Sequence, residues 1–177
     1  MRDSGSQPIG SRGFRPRHEA VPEMRLDEAS LARWGHRIGS TSVTPMVIGL
    51  RGGLGAGKSV LARAIGEGAG VSQAMPSPSY NLLFRYPADD GLEVVHLDLY
   101  RLESPDELWE LGWQQLGADH EIVLVEWPGR AEDLMPKDYW IIDLTVPDDD
   151  YKVREVGVDR VGSPPDLAAF PMSVSGS

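Results

Sequence analysis

Apolar and polar residues in the middle of this chain recur with two periods, and the switches between them mark out its elements. Leu31, Trp34 and Ile38 share one face of a helix that Asp27 can cap, so a helix is expected over residues 27–38. Residues 45–51 form a short apolar run with the pattern of a buried strand. Residues 58–67, with Leu61 and Ile65 facing inward, read as a helix closed by glycines at 68 and 70. Between that strand and that helix lies a glycine-rich turn, residues 52–57. Residues 81–86 and 92–100 read as strands, separated by the turn signal Asp89-Asp90-Gly91. Ser104, Pro105 and Glu107 supply a cap, a first helical residue and a capping-box partner. The helix they open is expected to carry Trp109, Trp113 and Leu116 on one face and to close at Gly117. Residues 122–125 are a buried strand delivering Glu126 at its end, and residues 139–146 and 151–158 make a C-terminal β-hairpin.

Apolar strands alternating with helices predict an α/β fold with a mostly parallel central sheet flanked by helices. One folded domain is expected over residues 24–160. Residues 1–23 and 161–177, rich in Gly, Ser and Pro without a period, are expected to be disordered extensions. In open α/β sheets ligands sit beyond the carboxyl ends of the strands. Gly52, Asp98 and Glu126 all fall at such ends, so one site can collect all three.

Composition narrows the chemistry. The 177 residues include no cysteine, which excludes a disulfide framework and thiolate zinc sites and suits a cytoplasmic protein. No apolar run approaches the roughly 18 residues of a membrane helix, and the arginines near the N-terminus precede no apolar core of a secretory signal. Twenty-seven acidic residues outnumber 17 basic ones, a net charge of −10. Affinity for nucleic acid rests largely on basic side chains that neutralise phosphates. A self-sufficient grip on RNA or DNA is therefore disfavoured.

The chemistry concentrates in Gly52-Gly53-Leu54-Gly55-Ala56-Gly57-Lys58-Ser59, which fits the P-loop pattern G-x-x-x-x-G-K-[ST] between a strand and a helix. Glycines let the backbone turn tightly, so that successive amides face the phosphates of a nucleotide such as ATP. The positive end of the following helix adds to them. The Lys58 ammonium is expected to reach the β- and γ-phosphates and the Ser59 hydroxyl to ligate Mg²⁺. Glu126, after four apolar residues, has the pattern of an acid beside the metal or the attacking water. Asp98, also at a strand end, is either a second such carboxylate or a cap or ion-pair partner of Arg101. Two carboxylates beside one Mg²⁺ divide naturally into a metal-side group and one that orients water. Ser79, on the next loop, reads as either a γ-phosphate sensor or a turn residue. His96 reads as structural. The tryptophans read as core, apart from Trp127, which directly follows Glu126.

Gly52 to Ser59, Ser-Pro-Ser-Tyr at 77–80, His-Leu-Asp-Leu-Tyr-Arg-Leu at 96–102 and Val-Glu-Trp-Pro at 125–128, in this order, resemble the TsaE (YjeE) family of ATPases in tRNA threonylcarbamoyladenosine biosynthesis. The likeness spans roughly residues 24–158. It implies a P-loop NTPase fold, weak-to-moderate ATP binding, and hydrolysis to ADP that is slow in isolation. It also implies TsaB- and TsaD-like partners, through which tRNA is met only indirectly. TsaD transfers the threonylcarbamoyl group, and the ATPase resets the complex between rounds.

Carried over by position, Lys58 is the phosphate lysine, Ser59 a Mg²⁺ ligand and Glu126 the second metal-side residue. Asp98 is a catalytic or metal-associated carboxylate, Ser79 belongs to a switch-like loop, and Trp127 is functionally sensitive. The start of the first helix, near Asp27 and Glu28, borders the adenine. The chain departs from the family where Gly53 replaces an acid, Val60 a frequent threonine, and Ser59 and Ser79 a threonine each. The two serines keep the oxygen, and Val60 keeps only its backbone amide. Two other readings compete: a small-molecule P-loop kinase, for which the scattered Arg85, Arg101 and Arg130 form no lid cluster, and a nucleotide-dependent interaction module that does not hydrolyse.

Overall fold

Seven strands form one sheet in the order β1-β7-β6-β2-β5-β4-β3. The structure, a computed structural model, describes residues 21–78 and 81–170. The strands are β1 (Val21–Asp27), β2 (Met46–Gly52), β3 (Leu83–Pro87), β4 (Glu93–Asp98), β5 (Glu121–Glu126), β6 (Tyr139–Thr145) and β7 (Val153–Val161). The four central strands, β6, β2, β5 and β4, run parallel, and the edges are antiparallel. The core of β2 and all of β5 are buried, as a parallel sheet covered on both faces requires.

Alternation sorts the side chains. Met46, Ile48 and Leu50 face a core shared with helices α1 (Glu28–Thr41) and α2 (Lys58–Gly68). Val47, Val95, Leu97, Val123 and Val125 face the other way, beneath Leu108 of helix α3 (Pro105–Glu110), Trp113 and Ala131. Asp27 caps α1, its carboxylate accepting the Ser30 N–H at 2.7 Å. A Cβ at Gly39 of α1 would strike the Ile65 carbonyl of α2, and one at Gly35 would lie 2.8 Å from Ala64 Cβ. These small residues let α1 lie close against α2 and so support the helix that follows the glycine-rich turn.

The α/β class, the parallel centre and the C-terminal hairpin match the sequence expectation, and three segments differ from it. Val21–Asp27 is a strand paired antiparallel with β7, so the folded chain begins inside the stretch read as an extension over 1–23. Pro22 hides it, since an edge position tolerates proline and the register shifts between Val21 and Met24. Residues 1–20 lie outside the described part.

The expected helix from Ser104 to Gly117 stops at Glu110. Its capping box is present, with the Glu107 carboxylate accepting the Ser104 N–H at 2.8 Å. Gly112, at φ 77, then turns the chain into a 3₁₀ turn, Trp113–Gln115. As a result Trp113 is buried while Trp109 is 43% exposed.

The third difference is at the C-terminus. Residues 162–170, read as part of a disordered tail over 161–177, are seated on the core. Phe170 stacks on Trp34 with ring centroids 4.6 Å apart, and the Trp34 indole donates to the Ala168 carbonyl at 3.0 Å. The Trp140 indole donates to the Pro165 carbonyl at 2.8 Å. Residues 171–177 lie outside the described part.

One ion cluster locks the register that the site needs. Glu93 and Glu121 sit directly opposite each other on β4 and β5, a like-charge pair that is destabilising unless neutralised. Arg85 of β3 pairs with both, reaching Glu121 at 2.8 Å. Burial pushes the Glu121 carboxyl up, but Arg85 and the amides of Ala118 and Gly117 outweigh it and hold it below the ordinary range.

Two outcomes follow. A carboxyl with a lowered folded pKa adds stability that is complete above its ordinary value of about 4.3 and is lost as pH falls through the folded value. Glu121→Gln should therefore cost about 1–3 kcal/mol at neutral pH and flatten the acid limb of the stability curve. Urea midpoints at neutral and acid pH check this, and equal losses at both would refute it. Phe170→Ala should cost about 1–2 kcal/mol by removing a half-buried ring pair. A urea midpoint unmoved from wild type would mean that the segment is not held there.

Candidate functional site

The carboxyl ends of three neighbouring parallel strands build the site. The ladder aligns Leu50 with Glu126 and Glu126 with Asp98. The turn after β2 and the last residues of β5 and β4 therefore emerge together. Gly52 takes φ 145, and a Cβ there would run into the Leu144 carbonyl of β6. Gly55 and Gly57, at φ 75 and 104, adopt conformations that only glycine enters cheaply. The Ala56 N–H donates to the Gly53 carbonyl at 3.2 Å and closes the turn. Gly57 is the N-cap of α2, whose first residues are Lys58 and Ser59. The helix N-terminus thus aims its unpaired amides and positive dipole end into the turn.

A cavity of about 260 Å³ opens there. From the turn it is lined by Leu54, Gly55 and Gly57, and from α2 by Lys58, Ser59 and Val60. From elsewhere come Ser77, Asp98, Tyr100, Glu126 and Trp127. Gly52, Gly53 and Ala56 belong to the same turn but are not among the lining residues, and Ala56 is buried. Ser79 lies outside the described residues. Among the described residues of that loop, Ser77 lines the cavity and donates to Asp98 Oδ2 at 3.1 Å. The Tyr100 N–H donates to Asp98 Oδ1 at 3.0 Å.

Lys58, Asp98 and Glu126 are 4, 5 and 2% exposed. The Lys58 ammonium donates to the carbonyls of Gly52 and Gly53 at 2.9 and 2.7 Å. It also lies 4.1 Å from the Trp127 ring centroid, a cation–π contact. Burial pushes the Lys58 pKa below the ordinary lysine value, while Glu126 and Asp98 pull it back up. Trp127 itself sits at φ 59, a left-handed conformation costing roughly 1–2 kcal/mol for a bulky residue. That strain turns its ring onto Lys58 and 5.0 Å from the Tyr100 ring. The ring thus packs against the buried cation.

Two residues that pattern alone did not assign to the site contact its residues. His96, read as structural, brings Nε2 to 2.9 Å from Glu126 Oε1. Its signal was available, since a side chain two residues before Asp98 shares its face of the sheet. Arg154 of β7 donates from Nε to the Ala56 carbonyl at 2.8 Å and from Nη2 to the Gly55 carbonyl at 3.4 Å. Its Nη1 holds the carbonyls of Tyr151 and Val153, both at 2.8 Å. One guanidinium therefore ties the hairpin to the back of the glycine-rich turn. Asp27 spends its carboxylate on capping α1.

This geometry coincides with a match to a family model, that of the threonylcarbamoyl adenosine biosynthesis protein TsaE, over residues 26–156. The chain belongs to the TsaE family. Curated relatives carry the name tRNA threonylcarbamoyladenosine biosynthesis protein TsaE. The Haemophilus influenzae protein is 28% identical over 149 residues, covering 81% of this chain and 94% of the relative. The Nostoc protein is 32% identical over 133 residues, 73% of this chain and 81% of the relative. The Streptomyces coelicolor protein is 36% identical over 132 residues, 72% and 88%. The fold is similar to the crystal structure of Bacillus subtilis YdiB, with a TM-score of 0.64, 23% identity, and coverage of 84% of this chain and 90% of that one.

In this TsaE-family chain the glycine at 53 is not forced by space, because a Cβ there meets nothing within 4 Å. Arg154 is the residue whose loss should be felt in the turn. Arg154→Ala should free the carbonyls of Gly55 and Ala56 and cost about 1–3 kcal/mol. Hydrogen exchange in a peptide spanning residues 52–60 should accelerate about tenfold or more, the exchange equivalent of about 1.4 kcal/mol of lost protection. Unchanged exchange there would remove Arg154 as the brace.

Proposed function

We propose that this chain binds ATP with Mg²⁺ at residues 52–60, hydrolyses it slowly by itself, and is the nucleotide-driven subunit of the cytoplasmic machinery for tRNA threonylcarbamoyladenosine (t6A). It acts with TsaB- and TsaD-like proteins to support repeated rounds and does not transfer the group. The observation that carries this reading is one cavity lined by a buried ammonium, a hydroxyl and two buried carboxylates, at a glycine turn that opens a helix. Lys58 is the one cation among the described lining residues, which argues against the arginine-rich lid of a kinase.

In this reading the backbone amides of the turn and the α2 N-terminus bind the phosphates. Lys58 exchanges its contacts with the Gly52 and Gly53 carbonyls for phosphate oxygens and neutralises charge that grows on them during transfer. Ser59, Asp98 and Glu126 offer only hard oxygen donors, the set that suits Mg²⁺. A magnesium ion held by these oxygens would supply neutralisation of phosphate charge. Asp98, fixed by Ser77 and by the Tyr100 amide, serves the metal side. The resemblance puts Glu126 on the metal side; here, in departure from it, Glu126 orients the attacking water and accepts its proton as the bond to the γ-phosphorus forms and that to ADP breaks. The net charge of −10 fits a protein that meets tRNA only through partners. No described helix is long and apolar enough to cross a membrane.

The test is phosphate release from ATP by the pure protein, alone and with TsaB and TsaD from the same source. Release should be slow alone and rise with the partners. Transfer to a small-molecule acceptor instead would favour a kinase, and binding without turnover in either setting would favour an interaction module. Lys58→Ala should weaken ATP binding about tenfold or more, which is about 1.4 kcal/mol. Glu126→Ala should keep binding within a few-fold and lower turnover about 100–1,000-fold. Normal hydrolysis by Glu126→Ala would remove it from the chemistry.

A further inference from the structure

Among the described residues, two buried side-chain polar atoms lack a hydrogen-bond partner, Tyr86 Oη and His96 Nδ1. The second belongs to a fully buried imidazole whose other nitrogen lies 2.9 Å from Glu126 Oε1, a carboxylate itself 2% exposed. A buried polar group with one nitrogen unsatisfied costs about 1–3 kcal/mol. Apolar residues fill the rest of this layer, Val94 on β4 and Ile122 and Leu124 on β5. A leucine at position 96 would avoid that cost. What the histidine has that a leucine would lack is the contact of its Nε2 with Glu126.

We propose that His96 is the positioning residue for Glu126. It donates Nε2–H to Oε1, fixing the carboxylate's rotamer and leaving Oε2 to face the cavity. Of the two tautomers, the one with a bare Nδ1 is the one this environment selects. A hydrogen on Nδ1 would be an orphaned buried donor, the rarer kind of unsatisfied group, and Nε2 would then be an acceptor facing an acceptor. The sheet makes the pair rigid. His96 aligns with Leu124 and Asp98 with Glu126 in the β4–β5 ladder, so His96 and Glu126 are diagonal neighbours on one face, within reach of long side chains. The Glu126 carbonyl is held as well, accepting the Leu99 N–H at 3.1 Å. The assignment of a catalytic effect rests on the hydrolysis reading above, but the tautomer does not.

The experiment has two arms. Nitrogen-15 NMR of the imidazole in the nucleotide-free protein should show Nε2 protonated and Nδ1 bare, and the opposite tautomer overturns the proposal. In steady-state hydrolysis, His96→Leu should lower kcat about 10–100-fold, the usual loss when an orienting partner is removed, with ATP affinity within about threefold. His96→Gln, which returns an N–H at similar reach, should recover most of the loss. Equal losses in both variants, unchanged kcat in both, or affinity falling in step with kcat would each overturn the proposal. If His96→Leu fails to fold, as a lost thermal transition would reveal, His96→Gln and the NMR arm decide. If the wild-type protein releases no phosphate even with partners, it is the hydrolysis reading that fails, and the tautomer still decides the pair.

Discussion

Everything at the site depends on the hydrogen-bonded register between β2, β5 and β4. Parallel strands that start level also end level. This ladder aligns Leu50, Glu126 and Asp98, so the glycine turn and both carboxylates arrive at one end of the sheet. A slip of one residue would turn Glu126 and Asp98 to the opposite face, away from α2 and Lys58. The slip is opposed at the other end, where Arg85 bridges Glu93 and Glu121.

Within that frame the site concentrates unfavourable choices. A lysine is desolvated, a tryptophan takes a left-handed backbone, and a histidine nitrogen goes unpaired. Each departs from what stability alone would select, and each touches the same cavity or its wall. Such concentration is expected where a structure sets up electrostatics for a reaction in advance. The surrounding structure sustains it through close α1–α2 packing, the Arg154 brace and the docked segment carrying Phe170.

Much of this was legible in the sequence because its signals are local. The glycine turn needs no tertiary knowledge, and neither does an apolar run ending in a carboxylate, as at Glu126. The capping box at Ser104 was readable for the same reason, and the α/β class followed from the alternation of strands and helices. What escaped depends on contacts made across the fold. β1 is strand-like only because β7 offers its edge. Residues 162–170 look featureless until Trp34 and Trp140 supply a ring and two indole donors. The helix after Ser104 read as long because the Trp109, Trp113, Leu116 spacing outweighed Gly112, whose left-handed conformation ends it. Arg154 carries no sequence mark at all, since the two carbonyls it holds in the glycine-rich turn, Gly55 and Ala56, lie about 100 positions away.

β5 states the distinction between support and chemistry in six residues. It begins and ends with a buried glutamate, 3% exposed at Glu121 and 2% at Glu126. Glu121 accepts from Arg85 and from two backbone amides, and those three bonds hold its carboxyl low and spend most of its accepting capacity. Among the described residues Glu126 has one side-chain hydrogen-bond partner, His96, and it lines a cavity beside Lys58 and Asp98. Burial is therefore not what separates a structural carboxylate from a working one. The difference is unspent hydrogen-bonding capacity, held in a fixed direction and aimed at space that a ligand can fill.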